Sequence, residues 1–241
     1  MTICMYHSYI FDLYGTLIDI ETDEEKTEVW ERLALHFGYQ GMQVTGVQLQ
    51  NRFLEERDRQ LEKAAAKCQF PDFVMEDVFR SIAHQWGKTP GEAWLQETVR
   101  WLRTLSMIHI SLYDGVLEIL QSLRDRGKKV FLLSNGQKTF IEAELTMLGI
   151  IDLFDGIAIS SEAGVSKPDP LFYRYLSDTY GADLSGALMI GNDPRTDIAG
   201  ARSIGMDSCY IHTASSPDNM EVRSTFQIWD GDLRQIPGWK L

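Results

Sequence analysis

Tyr9-Ile10-Phe11-Asp12-Leu13-Tyr14-Gly15-Thr16-Leu17 sets an acid directly after a short apolar run and follows it with a glycine turn and a hydroxyl. The run from Tyr9 to Phe11 reads as a buried strand, and Gly15-Thr16 as a tight turn. In open α/β sheets ligands bind at the carboxyl ends of the strands, so an acid placed like Asp12 is poised for chemistry.

From about residue 110 onward the chain alternates strand and helix, the pattern of a parallel sheet covered on both faces. Val116, Ile119, Leu120 and Leu123 recur at helical spacing before Gly127, and Lys129 to Leu133 is a β-type run ending at Ser134-Asn135-Gly136. A helix carrying Ile141, Leu145 and Leu148 then runs to Gly149, and a strand is expected near Gly156 to Ile159. A helix around Pro170 to Tyr180 leads to the strand Ala187 to Ile190, and a last unit passes through Ala201 to Ile211. Phe226 to Leu241 is expected to add an edge strand and a tail.

The stretch from Thr22 to Thr104 breaks the alternation. Amphipathic patterns predict helices near Glu24 to Phe37, Val47 to Lys67, Met75 to Trp86 and Gly91 to Leu105. The expected division is an α/β core of residues 1–20 and 110–241, interrupted by a helical cap domain of residues 21–109. Trp30, Trp86, Trp94 and Trp101 are expected in the core of that insert or against the α/β part.

A chain of 241 residues with 44% hydrophobic content can bury a full core. Its formal charge of -12 argues against a partner that is nucleic acid, and no Lys/Arg-rich run offsets it. Cys4, Cys68 and Cys209 form no Cys-x-x-Cys pair, so neither a zinc site nor a disulfide framework is expected. The five histidines, His7, His36, His84, His109 and His212, show no ligand spacing. No apolar run approaches the ~18 residues of a membrane span, and the apolar start is too short for a secretory signal. A cytoplasmic protein with a small-molecule substrate and no membrane partner is the expectation.

Polar clusters recur at the predicted strand ends: Asp12 to Thr16, Ser134-Asn135, and Asn192-Asp193 with Asp197. A fourth, Ser166-Lys167-Pro168-Asp169-Pro170, lies in the loop after the third strand. Singly, each has an ordinary explanation. Asp12 could be a turn residue, Ser134, Asn135 or Asp193 a helix cap, Lys167 a solvated lysine, and Asp197 an acid favoured by a helix dipole. Together they converge on one rim of the sheet.

In these residues the chain resembles the haloacid dehalogenase superfamily of hydrolases, with the insert in the place of a C1-type cap. The resemblance implies a Rossmann-like doubly wound parallel sheet and four motifs in order: Asp12 with Gly15 and Thr16, Ser134, Lys167, and Asp193 with Asp197. It implies that Asp12 is a nucleophile forming an aspartyl-phosphate and that Lys167 holds it ionised and binds phosphoryl oxygens. Thr16, Ser134 and Asn135 would cradle phosphate. Mg2+ would be held by Asp12, the backbone carbonyl of Tyr14 and Asp193, supported by Asn192 and Asp197.

Tyr14 departs from the phosphatase pattern, where that position carries the general acid/base. A tyrosine, with an ordinary pKa of about 10, cannot act as a base near neutral pH, and losing a positioned acid/base costs ~10²–10⁴-fold. Tyr14 with Ser134-Asn135-Gly136 looks like the 2-haloacid dehalogenase branch, in which the aspartate displaces halide without metal. Against that, Pro194 stands where the dehalogenase pattern has Asn, and Asp193 matches the phosphatase branch. Arg32, Arg52, Arg57 and Arg59 are candidates by charge alone for the cap arginine of dehalogenases. Three readings follow: a Mg-dependent phosphohydrolase with Tyr14 replacing the usual acid, a metal-independent 2-haloacid dehalogenase, and a weakly active or inactive binding protein.

Overall fold

The structure, a computed structural model, describes residues 6–237; Cys4 and the end of the C-terminal stretch, 238–241, lie outside the described residues. The first elements among the described residues are β1 (Ser8–Phe11) and β2 (Ile18–Thr22), followed by helices α1 (Thr27–Tyr39), α2 (Gly46–Ala64), α3 (Met75–His84) and α4 (Glu92–Ser106). After β3 (Met107–Leu112) come α5 (Val116–Asp125), β4 (Lys129–Ser134), α6 (Lys138–Met147), β5 (Gly156–Ile159) and α7 (Ser160–Ala163). The remainder is α8 (Pro170–Tyr180), β6 (Ala187–Gly191), a π turn (Pro194–Ile198), α9 (Ala199–Ser203), β7 (Asp207–Ile211) and β8 (Phe226–Ile228).

Six strands form one sheet in the order β5-β4-β1-β6-β7-β8, parallel throughout. The central strands are apolar along their length because both faces are covered. Tyr9, Phe11, Leu132 and Ile190 pack on one side, and Ile10, Phe131, Leu133 and Met189 on the other. The chain moves outward from β1 to β4 and β5, then returns to β6 on the other side. β1 therefore lies at the reversal of strand order, where the loops leaving β1 and β6 diverge and a crevice opens. The expected C-terminal edge strand is β8, parallel to β7.

β2 and β3 form a separate antiparallel ribbon in which Ile20 stands opposite Ile110. The chain leaves and re-enters the α/β part through this ribbon, so positions 20 and 110 lie within paired strands. The four helices between have their own apolar cluster, including Trp30, Leu33, Phe37, Phe79, Leu95 and Val99, and Phe140 of α6 joins it. α2 starts at a capping box of Thr45 and Gln48, which satisfies free backbone N–H groups. Trp30 is buried, whereas Trp101 remains 44% exposed.

A second tether runs through residues 68–76. The Ser166 N–H donates to the Phe70 carbonyl at 2.8 Å, and Pro71 bridges Val165. The Ser160 hydroxyl donates to Asp72 at 2.5 Å, and the Met75 N–H donates to Gln137 Oε1 at 2.9 Å. This strap fastens the insert to the loops leaving β4 and β5. Cys68 and Cys209 are free thiols, and burial pushes Cys209 up to about 12. Among the described residues no helix is long and apolar enough to cross a membrane.

Candidate active site

The loop after β1 is a compact turn in which the Leu13 carbonyl accepts from the N–H groups of Thr16, Leu17 and Ile18. Gly15 sits at φ 80°, and a Cβ there would lie 2.3 Å from the Asn192 amide nitrogen, so both conformation and space exclude a side chain. The turn delivers the Thr16 hydroxyl to Asp12 Oδ2 at 2.9 Å, with Asn192 Oδ1 at 3.3 Å.

Lys167 reaches the same carboxylate from the opposite side. Its Nζ donates to Asp12 Oδ1 at 2.6 Å and to Asp197 Oδ1 at 2.8 Å, and the residue is only 3% exposed. Burial alone would favour a neutral amine, yet the charges of Asp12 and Asp197 hold the lysine above its ordinary range. Asp197 is raised to about 7, chiefly by burial and then by the Asp12 charge, with Lys167 opposing. Its second oxygen accepts the Asp193 N–H at 3.0 Å. Gly191 is required beneath it, since a Cβ there would stand 2.3 Å from the Asp197 carboxyl.

Asn135 is bonded to the backbone of the lysine loop. Its Oδ1 accepts the Lys167 N–H at 2.8 Å and its Nδ2 donates to the Lys167 carbonyl at 3.1 Å. Both ends of the amide thus fix the lysine loop, which includes a cis Lys167-Pro168 bond. Neither Ser134 nor Asn135 caps α6, whose N-cap is Gln137. The Ser134 hydroxyl is fully buried without a hydrogen-bond partner.

Asp193 does act as a cap, accepting from the Arg195 N–H at 2.8 Å. Arg195 also holds both carboxylate oxygens, Nε to Oδ1 at 3.0 Å and Nη2 to Oδ2 at 2.8 Å. Burial opposes ionisation of Asp193, but the Arg195 hydrogen bonds and charge keep it below the usual carboxylate range. Among the described residues no group of three or more His, Cys, Asp or Glu is assembled for a metal.

The Tyr14 side chain is committed elsewhere. Its hydroxyl donates to Glu144 Oε2 at 2.6 Å, and Arg103 Nε donates to Glu144 Oε1 at 2.6 Å. The guanidinium lies 5.2 Å from the Tyr14 ring centre and 4.7 Å from that of Phe140. Burial, followed by the Glu144 charge, raises the phenol well above its ordinary range, against an opposing effect of Arg103. Arg103 and Glu144 escaped the sequence reading. Their signal was a charge inside an apolar stripe: Arg103 follows Leu95, Val99 and Leu102, and Glu144 lies between Ile141 and Leu145. Of the arginines considered earlier, Arg52 covers Trp86, Arg57 pairs with Asp58 and Arg59 with Glu56, while Arg32 is exposed.

Residues 6–205 match the sequence profile of the haloacid dehalogenase-like hydrolases. A phosphoserine phosphatase of Thermus thermophilus is 29% identical over 167 residues, 67% of this chain and 63% of that protein, so the chain spans less than two thirds of its length. An (S)-2-haloacid dehalogenase of Pseudomonas sp. strain YL is 28% identical over 238 residues, covering 96% of this chain and 88% of the dehalogenase. Among solved structures, a 2-haloacid dehalogenase of Pseudomonas syringae aligns over 98% of both chains with TM-score 0.63 at 20% identity. A phosphatase from Thermococcus onnurineus aligns over 92% of both with TM-score 0.57 at 20% identity. At these identities the structural likeness concerns the fold.

Proposed function

Because this chain belongs to the haloacid dehalogenase-like hydrolases, we propose that it is a Mg2+-assisted phosphohydrolase of a small phosphorylated metabolite, working through an aspartyl-phosphate on Asp12. The observation that carries this reading is the charge balance around Lys167. Asp12 and Asp197 share one buried cation, and Asp193 adds a third carboxylate that pairs, among the described residues, with Arg195, 62% exposed. An entering phosphate adds more negative charge, and a divalent ion offsets it.

The donor chemistry fits. The carboxylates of Asp12 and Asp193 and the carbonyl of residue 14 are hard oxygens of the kind Mg2+ prefers. Asp193 would exchange Arg195 for the ion, giving up a pair whose arginine side is open to solvent and therefore weakly held. Bound there, Mg2+ would draw charge from the phosphoryl oxygens.

The chain's own residues account for the rest. Thr16 and Lys167 grip the two oxygens of Asp12 and fix its orientation for attack on phosphorus. Lys167 sets its charge directly against that carboxylate and offers it to the transferring group. The unpartnered Ser134 hydroxyl supplies a buried donor for a phosphoryl oxygen. Asp197 and Asn192 hold the lysine and the threonine in register. The helical insert, residues 21–109, would exclude water and set specificity as a cap.

A second reading, displacement of halide from a small haloacid by Asp12, is favoured by Tyr14 and by the Pseudomonas relative that matches 96% of the chain. Purified protein assayed with an aryl phosphate and with 2-chloropropionate separates the two. Phosphate release that stops with chelator and returns with Mg2+ is the expected result. Halide release indifferent to chelator would overturn it in favour of the second reading, and Asp12→Asn should abolish either activity.

A further inference from the structure

We propose that Arg103 and Glu144 are positioning residues that clamp Tyr14, two residues after the nucleophile, so that its proton is withheld from the leaving group. The enzyme is thereby restricted to phosphate esters and anhydrides whose leaving group departs as a stable anion. This rests on the reading of Asp12 as a phosphorylated nucleophile.

The tyrosine has one hydroxyl proton, and it is spent on Glu144 at 2.6 Å. Glu144 is 3% exposed, and its other oxygen is held by Arg103 at 2.6 Å, so both oxygens of the buried carboxylate are engaged. The ring is confined as well. Arg103 lies over its face, and on another side a Cβ added at Gly136 would come within 3.3 Å of Tyr14 Cε2. The clamp joins three parts of the molecule: the loop after β1, α6 of the α/β part and α4 of the insert. The phosphatase pattern that the chain resembles carries its acid at position 14, and here the hydroxyl at that position is turned onto α6.

The chemistry balances without that proton. Asp12 attacks phosphorus, the bond from phosphorus to the leaving oxygen breaks, and the electron pair leaves on a phenolate or carboxylate. Water then attacks phosphorus, the bond to Asp12 breaks, and the product is dihydrogen phosphate with the carboxylate restored. An alkoxide is too poor a leaving group to depart this way at a useful rate.

The test is the dependence of kcat/KM on leaving-group acidity, measured with a series of aryl phosphates and an alkyl phosphate. Wild type should show a steep dependence. Glu144→Ala frees the hydroxyl and should raise alkyl relative to aryl turnover by at least ~10-fold, part of the ~10²–10⁴-fold that a positioned acid supplies. Glu144→Gln retains a carbonyl acceptor for Tyr14 and should keep the wild-type slope. Tyr14→Phe should also keep that slope, because the hydroxyl it removes donates nothing to the leaving group. A steeper slope in Tyr14→Phe, or no change of ratio in a folded Glu144→Ala, overturns the proposal. Proton NMR provides a readout independent of turnover: a slowly exchanging, strongly downfield phenol proton in wild type that disappears in Tyr14→Phe. Its absence from wild type overturns the clamp. If neither phosphate nor halide is released from any substrate, the reading of function falls, while this resonance still decides the clamp.

Discussion

Replacing Lys167 with methionine keeps most of the stem and removes the charge. Asp12 Oδ1 at 2.6 Å and Asp197 Oδ1 at 2.8 Å then lose their shared partner, with side chains only 10% and 1% exposed. Removing one member of a buried ion pair costs ~3–5 kcal/mol, because the other charge stays desolvated. Against a typical domain stability of ~5–15 kcal/mol that is a large fraction. The pH dependence follows from Asp197, whose carboxyl is raised in the folded protein from 3.8 to about 7. The native state binds this proton more tightly than the unfolded chain, so wild-type stability falls as pH rises through that window. Without Lys167 the carboxyl rises further, the fall continues above 7, and the gap between variant and wild type widens there. At low pH, with Asp197 protonated in both proteins, the gap narrows. Urea unfolding followed by tryptophan fluorescence, with chelator present, at about pH 5 and about pH 8, measures both differences. A loss under ~1 kcal/mol, or one equal at the two pH values, would show that the lysine is not the counter-charge described here.

Two further perturbations test separate parts of the molecule. Gly191→Ala drives a methyl group to 2.3 Å from the Asp197 carboxyl and should push it off Lys167. A destabilisation of ~1–3 kcal/mol is expected in thermal unfolding, and an unchanged Tm would mean the backbone yields instead. In the insert, His36 stacks on Trp94 with ring centres 5.1 Å apart and planes 5° from parallel, and bonds Thr98 at 2.9 Å. Burial lowers its pKa, against a smaller opposing effect of Glu97. The folded state therefore binds fewer protons than the unfolded chain just below 6.5, and stability should drop on acidification through that range. His36→Gln should flatten the drop, and equal pH profiles for both proteins would remove His36 as its source.

The strand-end acid, the alternation after residue 110 and the helical periodicities of the insert were legible in sequence. Each is set by neighbours a few residues away: apolar runs, glycine turns and i, i+3, i+4 spacing. The convergence of Asp12, Thr16, Lys167 and Asp197 was also within reach, since a doubly wound sheet sends these strand ends to one rim. What each polar group does there was not. Asn135 reads the same in sequence whether it meets substrate or the backbone of Lys167. Asp193 reads the same whether it faces the crevice or Arg195. Tyr14 is the clearest case, because local sequence marked it as the departure from the phosphatase pattern and said nothing of where its hydroxyl goes. That was decided by Glu144, 130 residues along the chain, and by Arg103 on the insert. A buried polar side chain takes whichever partner the packed elements bring within about 3 Å, and only the tertiary structure brings α4, α6 and the β1 loop that close.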